Sequence, residues 1–257
     1  MSGTSALQNN YDDNARAYNQ FLATPLGTLE AQLFELCIPP CKDCDVLDLG
    51  GGTGLGARDA INAGARHVDV IDISPEMMRQ GQDYERSIGR SDAIDWHQAD
   101  VSQSLDRQLD VGRLGPYDMV IANGIFDHAQ SKAELRAMWA NAARFLKPGG
   151  RVVANRNDPF SQAVGDGVYG VKFTDFERLE NDEGWRYTYR VVDTDLVFES
   201  YALDCYVNDH TEVAREFCED FETVRWEKTA VVRSDMAFWA TYLQHPILYI
   251  FTATKRS

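Results

Sequence analysis

The chain has no hydrophobic run long enough to cross a membrane. A spanning helix needs about 20 consecutive apolar residues, and the longest candidate here, residues 247–252, has only the length of a strand. Basic residues are also scarce: 25 lysines and arginines stand against 40 aspartates and glutamates, which gives a formal net charge of −15. Because nucleic acids and anionic membrane surfaces are bound largely through Lys and Arg, we expect neither as a partner.

Signals for export, disulfides and structural zinc are missing as well. Residues 1–16 contain no basic head followed by an apolar stretch, so they do not resemble a secretory signal. The five cysteines are an odd number, and the single C-x-x-C pair, Cys41 and Cys44, has no second pair or histidine motif to complete a zinc site. We therefore expect free thiols in a cytoplasmic protein without a metal site.

The chain does have enough apolar sequence for a buried core, since 44% of its residues are hydrophobic and 11% are aromatic. We predict a single domain over residues 1–257, with a helical cap at residues 1–40 and a substrate-side insertion at residues 157–210. The oligomeric state stays open between a monomer and a homodimer.

Short apolar runs alternate with helix-like stretches, as in βαβ units on a parallel sheet. The predicted fold class is α/β: a doubly wound, Rossmann-like, mostly parallel seven-stranded sheet with an antiparallel edge strand, N-terminal helices and an inserted antiparallel ribbon. That ribbon is interpreted as a lid over the acceptor, or alternatively as a solvated extension of the sheet. Strands are predicted at residues 45–49, 67–73, 93–99, 117–122, 151–154, 185–192, 196–207, 221–232 and 247–254, and helices at residues 11–37, 54–63, 74–86, 131–146 and 210–219.

Four glycines in five residues follow the first predicted strand and open a helix, in the run Asp48-Leu49-Gly50-Gly51-Gly52-Thr53-Gly54. Glycine lets a ligand approach the backbone where any Cβ would collide, and the helix start supplies free N–H groups. The run fits the dinucleotide pattern G-x-G-x-x-A. However, Asp48 would repel a pyrophosphate and attract the ammonium and sulfonium groups of S-adenosylmethionine. From the residues alone, both ligands stay open.

Three motifs together resemble a known family. They are VLDLGGGTG at residues 46–54, VIDISPEMM at residues 70–78 and FLKPGG at residues 145–150. Their order and spacing resemble class I S-adenosylmethionine-dependent methyltransferases over residues 11–156. More loosely, the order of NDPF, the Tyr169-Gly170 step and the late WATYLQHP is similar to toxoflavin-synthase-like small-molecule methyltransferases.

The resemblance implies a role for each matching residue. Gly50, Gly52 and Gly54 would line S-adenosylmethionine, and Asp48 would lie near its amino group. Asp72 would accept both ribose hydroxyls, since a carboxylate offers two acceptors to a vicinal diol. Further predicted cofactor contacts are Ile73 and Met77 beside the adenine, Asp100 with Val101 at the adenine amino group, Asn123 after the fourth strand, and Tyr11 and Tyr18, which form either a lid or ordinary helix packing.

His128 is the first candidate for a general base, because it follows the fourth predicted strand at the carboxyl edge of the sheet, where ligands bind. The alternative is a histidine that only begins a helix. Weaker candidates for substrate contact are Arg156, Tyr169 and His210. Aromatic walls of the acceptor pocket are expected from among Phe160, Tyr169, Phe173, Trp185, Tyr187 and Phe198.

The leading hypothesis is methyl transfer from S-adenosylmethionine, which leaves S-adenosylhomocysteine, to N or O of a small molecule such as a natural product or heteroaromatic metabolite. In such a reaction the cofactor carries the hard chemistry, and the protein mainly aligns nucleophile, methyl and sulfur. Two alternatives remain. One is an NAD(P)-dependent oxidoreductase that uses the same glycine loop, and the other is a non-catalytic S-adenosylmethionine-binding protein.

Overall fold

The computed structural model describes residues 8, 9, 11, 12, 19–90 and 92–256. Its strands are numbered in chain order: β1 (Asp45–Leu49), β2 (His67–Asp72), β3 (Ile94–Gln98), β4 (Tyr117–Ala122), β5 (Leu146–Asn157), β6 (Val171–Arg178), β7 (Gly184–Val191), β8 (Val197–Leu203), β9 (Cys218–Thr223) and β10 (Leu248–Lys255). Its α-helices are α1 (Asn19–Leu22), α2 (Pro25–Cys37), α3 (Leu55–Asn62), α4 (Pro75–Ser87), α5 (Lys132–Phe145), α6 (Asp204–Asn208), α7 (Ala230–Ser234) and α8 (Ala240–Gln244).

Seven strands form one sheet in the order β3-β2-β1-β4-β5-β10-β9. Strands β1 to β5 pair in parallel, so their carboxyl ends meet at one edge of the sheet. The predicted seven-stranded, mostly parallel sheet is confirmed. The antiparallel strand, β10, lies one place in from the edge, because it pairs along β5 on one side and β9 on the other.

The helices that flank the parallel strands begin where the sequence predicts. Ser74 and Ser131 cap α4 and α5, and their side-chain oxygens accept hydrogen bonds from Met77 N at 3.1 Å and Glu134 N at 3.2 Å. Each such cap satisfies an N–H that would otherwise lack a partner. The caps fix where each chain segment leaves the sheet, and therefore where the loops at its carboxyl edge lie.

The helix predicted over residues 11–37 is interrupted. Thr24 is the N-cap of α2, with Gly27 N donating to its Oγ1 at 3.0 Å, and Pro25 takes the first helical position. Proline favours that position because its missing N–H has no helical partner there. The break separates α2 from the shorter α1, so two short helices rather than one long helix cover this side of the sheet.

Alternate residues of the buried strands face opposite sides of the sheet, as the period of a β-strand requires. On β1, Val46 packs with Leu29 and Leu33 of α2. The next residue, Leu47, packs with Leu135 and Trp139 of α5. Both faces are therefore buried, and the exposed edge at the carboxyl ends of the strands is the place left for a ligand.

A second, three-stranded antiparallel sheet, in the order β6-β7-β8, is formed by residues 171–203. It falls within the predicted insertion, although β6 was not predicted and the strand predicted over residues 196–207 ends at Leu203. There the chain turns into α6, whose Tyr206 hydroxyl donates to Asn155 O at 2.8 Å. This contact ties the end of the insertion to strand β5 of the main sheet.

Two predictions near the C-terminus are wrong. The strand predicted over residues 221–232 ends at Thr223, and α7 occupies residues 230–234. The indole of Trp226 donates to Leu248 O at 2.7 Å, which turns the chain out of the edge position. The helix predicted at residues 210–219 is only a single 3₁₀ turn at Ala214–Glu216. Within the described ranges, none of the helices has the length and hydrophobicity that crossing a bilayer requires.

Candidate active site

A cavity of about 230 Å³ lies at the carboxyl edge of the main sheet. Its floor is the glycine loop at residues 50–53, between β1 and α3. Its walls include Asp72 at the end of β2, Asp100 after β3 and Asn123 after β4. The three polar residues follow three parallel strands of one sheet, in which β1 lies between β2 and β4. The topology places them together because these strands end at the same edge.

The glycines of the loop are required for two different reasons. Gly50 has φ +67°, and a Cβ there would lie 1.9 Å from Ile125 Cγ2. Gly54 has φ +78°, and a Cβ there would lie 2.6 Å from Trp96 Cη2. Gly52 has φ +52° and borders the cavity, where a Cβ would lie 3.9 Å from Asp72 Oδ2. Gly50 and Gly52 therefore line the cavity as predicted, whereas Gly54 packs against Trp96 and is not part of the wall.

Asp48 forms the inner end of the cavity and is almost fully buried, with 1% of its surface exposed. Its Oδ2 accepts a hydrogen bond from Ala57 N, in the first turn of α3, at 2.9 Å. Burial raises the pKa of this carboxyl to about 7, and the Ala57 hydrogen bond opposes that rise. From its place on β1, Asp48 thus caps the following helix α3, and it also presents a carboxyl group to the cavity.

Asp72 is held from two sides by the backbone. Gly52 N donates to its Oδ2 at 2.8 Å, and Ser74 N donates to its Oδ1 at 2.8 Å. Burial raises the pKa of Asp72 to about 6, while these N–H groups lower it. Each carboxylate oxygen has a second lone pair, so the fixed side chain can still accept two hydroxyl groups from the cavity.

The outer part of the cavity is more apolar. Ile73 and Met77 follow Asp72 and line one side, and Val101 lines the other. Between them, Asp100 Oδ1 accepts hydrogen bonds from Ser102 N at 2.9 Å and Ser102 Oγ at 2.6 Å. A flat apolar group with one hydrogen-bond donor at its rim would fit between these side chains.

Side chains of the N-terminal segment close the cavity from above. The Tyr11 hydroxyl lies 2.6 Å from His128 Nε2, and Asn123 Nδ2 donates to Glu30 Oε1 at 2.9 Å. Among the described residues, neither Asn123 Oδ1 nor His128 Nδ1 has a hydrogen-bond partner, although both atoms are buried. Burial lowers the pKa of His128 to about 4, so its imidazole is neutral near pH 7. Tyr18, the other predicted lid residue, lies outside the described residues.

A second cavity, of about 80 Å³, adjoins the first across Tyr11, Glu30, Asn123 and His128, which line both. Its remaining wall joins the ends of β4 and β5 to the second sheet. The residues found only in this wall are Phe21, Asp127, Asn155, Asn157, Tyr187, Tyr189, Phe198 and Ser200. The inserted sheet therefore covers a cavity beside the first, as the lid interpretation of residues 157–210 requires.

The aromatic side chains of the second cavity form a connected set. The ring of Tyr11 lies 5.2 Å from that of Phe198, which lies 6.4 Å from Tyr189, which in turn lies 6.2 Å from Phe21. Of the six aromatic residues predicted from the sequence, Tyr187 and Phe198 line this cavity. Those that do not are Phe160, Tyr169, Phe173 and Trp185.

Both cavities are lined by acidic side chains. The first is lined by five carboxyl side chains, those of Glu30, Asp48, Asp72, Asp100 and Glu134, and the second adds Asp127. Across the described part of the chain, no lysine or arginine lines either cavity. Such walls attract a cation and repel a pyrophosphate, since charges in a partly buried site are weakly screened.

Comparison with known proteins agrees with this geometry. Residues 46–150, from β1 to the start of β5, match a family model described as a methyltransferase domain. Solved structures of proteins complexed with S-adenosylmethionine or S-adenosylhomocysteine share the fold. Over these residues the chain is therefore similar to a methyltransferase domain, and its fold is shared with S-adenosylmethionine-dependent methyltransferases. The class predicted from the three motifs is confirmed, and the finer likeness to toxoflavin synthase stays a prediction.

Individual relatives of the methyltransferase domain are diverse. A ribosomal protein L11 methyltransferase from Bradyrhizobium diazoefficiens is 31% identical over 121 residues, which are 47% of this chain and 38% of the relative. A cypemycin N-terminal methyltransferase from a Streptomyces species is 32% identical over 130 residues, 49% of this chain and 48% of the relative. The chain thus spans less than half of the length of the curated relatives it matches.

The structure of the CcbJ methyltransferase from Streptomyces caelestis resembles the whole chain. Its TM-score is 0.65 with 16% sequence identity, and the match covers 96% of this chain and 98% of that one. At this identity the likeness shows the fold. It extends beyond the methyltransferase domain to the N-terminal helices and the inserted sheet.

Two of the residues predicted to contact the substrate, Arg156 and His210, do not border the cavities. Arg156 Nη1 donates to Val207 O at 2.7 Å, and its guanidinium lies 4.1 Å from the centroid of the Tyr249 ring. The His210 ring lies 4.5 Å from that of Phe251. Neither Arg156 nor His210 lines either of the two cavities. Their side chains instead contact β10 and α6.

Tyr169, the third predicted substrate contact, is also away from both cavities. Its ring stacks on Trp239 with centroids 5.0 Å apart, and its hydroxyl accepts from Tyr242 N at 3.1 Å. The hydroxyl also donates to Phe238 O at 3.1 Å. The Tyr169-Gly170 step and WATYLQHP, which resemble a functional motif in the sequence, therefore meet in an aromatic cluster that holds the C-terminal region against the insertion.

Several residues of the site were not predicted from the sequence, among them Glu30, Asp127 and Asn155. Glu30 occurs in a helix whose pattern shows only amphipathic packing, and Asp127 stands beside the predicted His128. Asn155 lies in β5 and accepts a hydrogen bond from Gly124 N at 2.6 Å. A polar residue near the end of an apolar parallel strand is a signal for Asn155, but nothing local in the sequence marks Glu30.

Outside the two cavities, His67, Asp69 and Asp95 bring their ligand atoms within 4.8 Å of one another. Asp69 is buried, and its oxygens also lie 2.7 Å from His97 Nε2 and 2.8 Å from the Tyr117 hydroxyl. These contacts satisfy the buried carboxylate from within the chain, so the cluster is explained without an ion.

Proposed function

We propose that the protein transfers a methyl group from S-adenosylmethionine to a nitrogen or oxygen of a small-molecule acceptor. The observation that carries the proposal is the pair of adjoining acidic cavities. One lies over the glycine loop, the other lies under the inserted sheet, and they meet at His128. Methyl transfer is an in-line displacement, so donor and acceptor must approach from two sides of one point.

The first cavity would hold the cofactor. Asp72 would accept the two ribose hydroxyls, and the rim between Ile73, Val101 and Asp100 would take the adenine. Asp48, Asn123 and Tyr11 remain for the amino-acid end. When bound, the cofactor supplies a methyl group on a positively charged sulfur, which is the hard part of the chemistry. The orphaned Asn123 Oδ1 fits this assignment, because a buried acceptor without a donor costs stability unless a ligand supplies one.

His128 would serve the acceptor. Its neutral imidazole lies on the wall that both cavities share, and Nδ1 has no partner among the described residues. If the Tyr11 hydroxyl accepts from Nε2–H, then Nδ1 carries the lone pair and can take a proton from the acceptor. A base with a lowered pKa is weak, so this role suits an acceptor that needs only modest help.

The two alternative functions fit the cavities less well. A nicotinamide cofactor would bring a pyrophosphate to walls that carry carboxylates and, in the described residues, no basic side chain. A non-catalytic binding protein has no need of a second cavity beside the first, lined by His128 and aromatic side chains. The names of the cypemycin and L11 methyltransferases cover a peptide and a ribosomal protein, so they leave the acceptor class to experiment. A role in the tailoring of natural products is part of this proposal.

Two measurements test the proposal. Titration calorimetry should show saturable binding of S-adenosylhomocysteine and none of NADH, and binding of NADH alone would overturn the cofactor assignment. A mass-spectrometric screen of small amines, phenols and heteroaromatic compounds with S-adenosylmethionine should then reveal a gain of about 14 Da in at least one acceptor. Binding of the donor without turnover of any candidate would favour the non-catalytic alternative.

A further inference from the structure

The second cavity combines two features that select for charge. Its wall contains the carboxyl groups of Glu30 and Asp127, and the rings of Tyr11, Phe21, Tyr187, Tyr189 and Phe198. Aromatic faces attract cations through the quadrupole of the ring, and several rings around one cavity form the kind of cage that binds ammonium groups. The amides of Asn123, Asn155 and Asn157 and the hydroxyl of Ser200 supply the remaining polar surface.

Of the two carboxyl groups, that of Glu30 is the one with hydrogen-bonding capacity left for an acceptor. In the described residues its side chain has one hydrogen-bond partner, Asn123 Nδ2 at 2.9 Å, and it faces both cavities. Asp127, by contrast, accepts from both Asn157 N at 3.1 Å and Asn157 Nδ2 at 2.8 Å. Glu30 thus has free capacity at the junction of the cavities, while Asp127 mainly holds β5 against the loop after β4.

We propose that the acceptor is an amine, bound in its ammonium form by Glu30 within the ring of aromatic side chains and methylated on that nitrogen. The inference rests on the methyltransferase function proposed above and narrows its acceptor from nitrogen or oxygen to an amine nitrogen. Carboxylate and phosphate acceptors are disfavoured because, in the described part of the wall, no side chain carries a fixed positive charge to pair with them.

The reaction then balances as follows. For an amine acceptor the Glu30 carboxylate, rather than His128, takes one proton from the ammonium group, which leaves a neutral amine with a free electron pair. That pair forms the new bond to the methyl carbon as the bond from carbon to sulfur breaks, and the electrons of the broken bond remain on sulfur, which becomes neutral. The product is a methylated ammonium, and the proton on Glu30 is released to solvent.

Burial raises the pKa of Glu30 to about 7, so the carboxyl can both take and release a proton near neutral pH. The same cage that attracts the ammonium form of the substrate also binds the methylated product. Product release should therefore be slower than for a neutral product.

The test uses matched probes on the full-length protein saturated with S-adenosylhomocysteine. Each probe set consists of an amine, an alcohol and a carboxylate on one scaffold: 2-phenylethylamine, 2-phenylethanol and 3-phenylpropionate, then the corresponding indole and cyclohexyl compounds. For at least one scaffold, the amine should bind at least tenfold more tightly than the alcohol, and the carboxylate should bind most weakly. If no amine binds better than its alcohol, the inference is overturned.

Glu30→Gln provides the second arm, with Glu35→Gln as its matched control. Glu35 is exposed on the same helix α2 and carries the same charge. Glu30→Gln should weaken amine binding about tenfold more than alcohol binding, whereas Glu35→Gln should change neither. Equal losses for amine and alcohol would show that Glu30 is only structural and would overturn the inference. Failure to bind S-adenosylhomocysteine at all would instead reject the underlying methyltransferase function.

Discussion

The two cavities are built differently although they share a wall. In the first cavity, which we propose for the cofactor, the carboxylates Asp48 and Asp72 are fixed by backbone N–H groups of the loop and helix that follow β1 and β2. In the second cavity, which we propose for the acceptor, the wall combines side chains from α1, α2, β5, the loop after β4 and the second sheet, which meet only after folding. A local backbone motif therefore shapes the proposed donor site, whereas tertiary packing shapes the proposed acceptor site. Donor binding should therefore depend on backbone geometry, and acceptor binding on individual side chains.

The largest expected effect is a loss of folding stability in Gly50→Ala, which should exceed that in Gly52→Ala. Gly50→Ala would place a Cβ 1.9 Å from Ile125 Cγ2, and we expect a loss of roughly 2–4 kcal/mol of folding free energy from overpacking and left-handed strain. Gly52→Ala meets only Met77 Cε, at 3.1 Å, so it should cost about 1–2 kcal/mol but weaken S-adenosylhomocysteine binding. Urea unfolding of both variants measures the stability losses, and calorimetry measures their binding of S-adenosylhomocysteine. Equal stability losses, or full affinity in Gly52→Ala, would contradict the division between packing and binding glycines.

The variant His128→Ala tests the role proposed for the second cavity. With an acceptor whose proton His128 takes, His128→Ala should lower kcat roughly 100-fold, because a positioned base is removed from the shared wall. With an amine whose proton goes to Glu30, the loss should be smaller. Binding of S-adenosylhomocysteine should change less than twofold, since the cofactor cavity keeps its backbone-held carboxylates. His245→Ala, which lies outside both cavities, is the control. A variant that loses cofactor affinity but keeps kcat would show that His128 belongs to the donor site instead.

The variant Asp72→Ala tests the role proposed for the first cavity. Asp72→Ala removes the acceptor of two backbone N–H groups and of the proposed ribose hydroxyls, so S-adenosylhomocysteine binding should weaken by roughly 1–3 kcal/mol. The matched control is Asp83→Ala, an exposed aspartate on α4. Calorimetry with both variants is the measurement. Unchanged affinity in Asp72→Ala would remove the ribose assignment while leaving the fold of the site intact.

The smallest expected effect is a dependence of folding stability on pH, and carboxyl groups of both cavities contribute to it. Burial raises the pKa of Glu30, Asp48 and Asp127 to about 7 and that of Asp72 to about 6. In the unfolded chain these groups titrate near pH 4. Between about pH 5 and pH 8 these four carboxyl groups therefore lose protons only in the folded state, and their titration lowers the stability as pH rises. The lowered pKa of His128 opposes this below about pH 7, because that imidazole loses its proton only in the unfolded chain.

We expect the decrease in unfolding free energy over that interval to be at least about 1 kcal/mol, the equivalent of one pKa unit at one group. Urea unfolding at several pH values measures it. The conservative variant Asp72→Asn should reduce the slope, and Asp83→Asn should not. A stability that stays constant or rises over the interval would contradict the raised pKa values.

The sequence predicts the donor half of the molecule well. The bounds of β1 and β4 agree with the predicted residues 45–49 and 117–122, because each is a short apolar run ended by polar or glycine residues. The caps Ser74 and Ser131 lie where predicted for the same reason, since a cap is a contact within four residues. Every feature of this half that was predicted correctly depends on neighbours in the chain.

The acceptor half was predicted only in outline. Glu30 resembles a surface residue of an amphipathic helix, and its role follows from Asn123, which is 93 residues away. Tyr169 and Arg156 are predicted as substrate contacts, but both are buried away from the cavities, against side chains of the C-terminal segments. Contacts of this kind follow from how segments dock on one another, which the order of residues in a single chain does not reveal.

Tyr11 contacts both ligand sites at once, through its hydroxyl on His128 and its ring on Phe198. Occupants on either side of one tyrosine cannot bind independently, because each alters the surface offered to the other. Thermodynamic linkage then requires that the donor change the affinity for the acceptor by the same factor as the acceptor changes that for the donor. Saturation with one ligand should consequently change the measured affinity for the other.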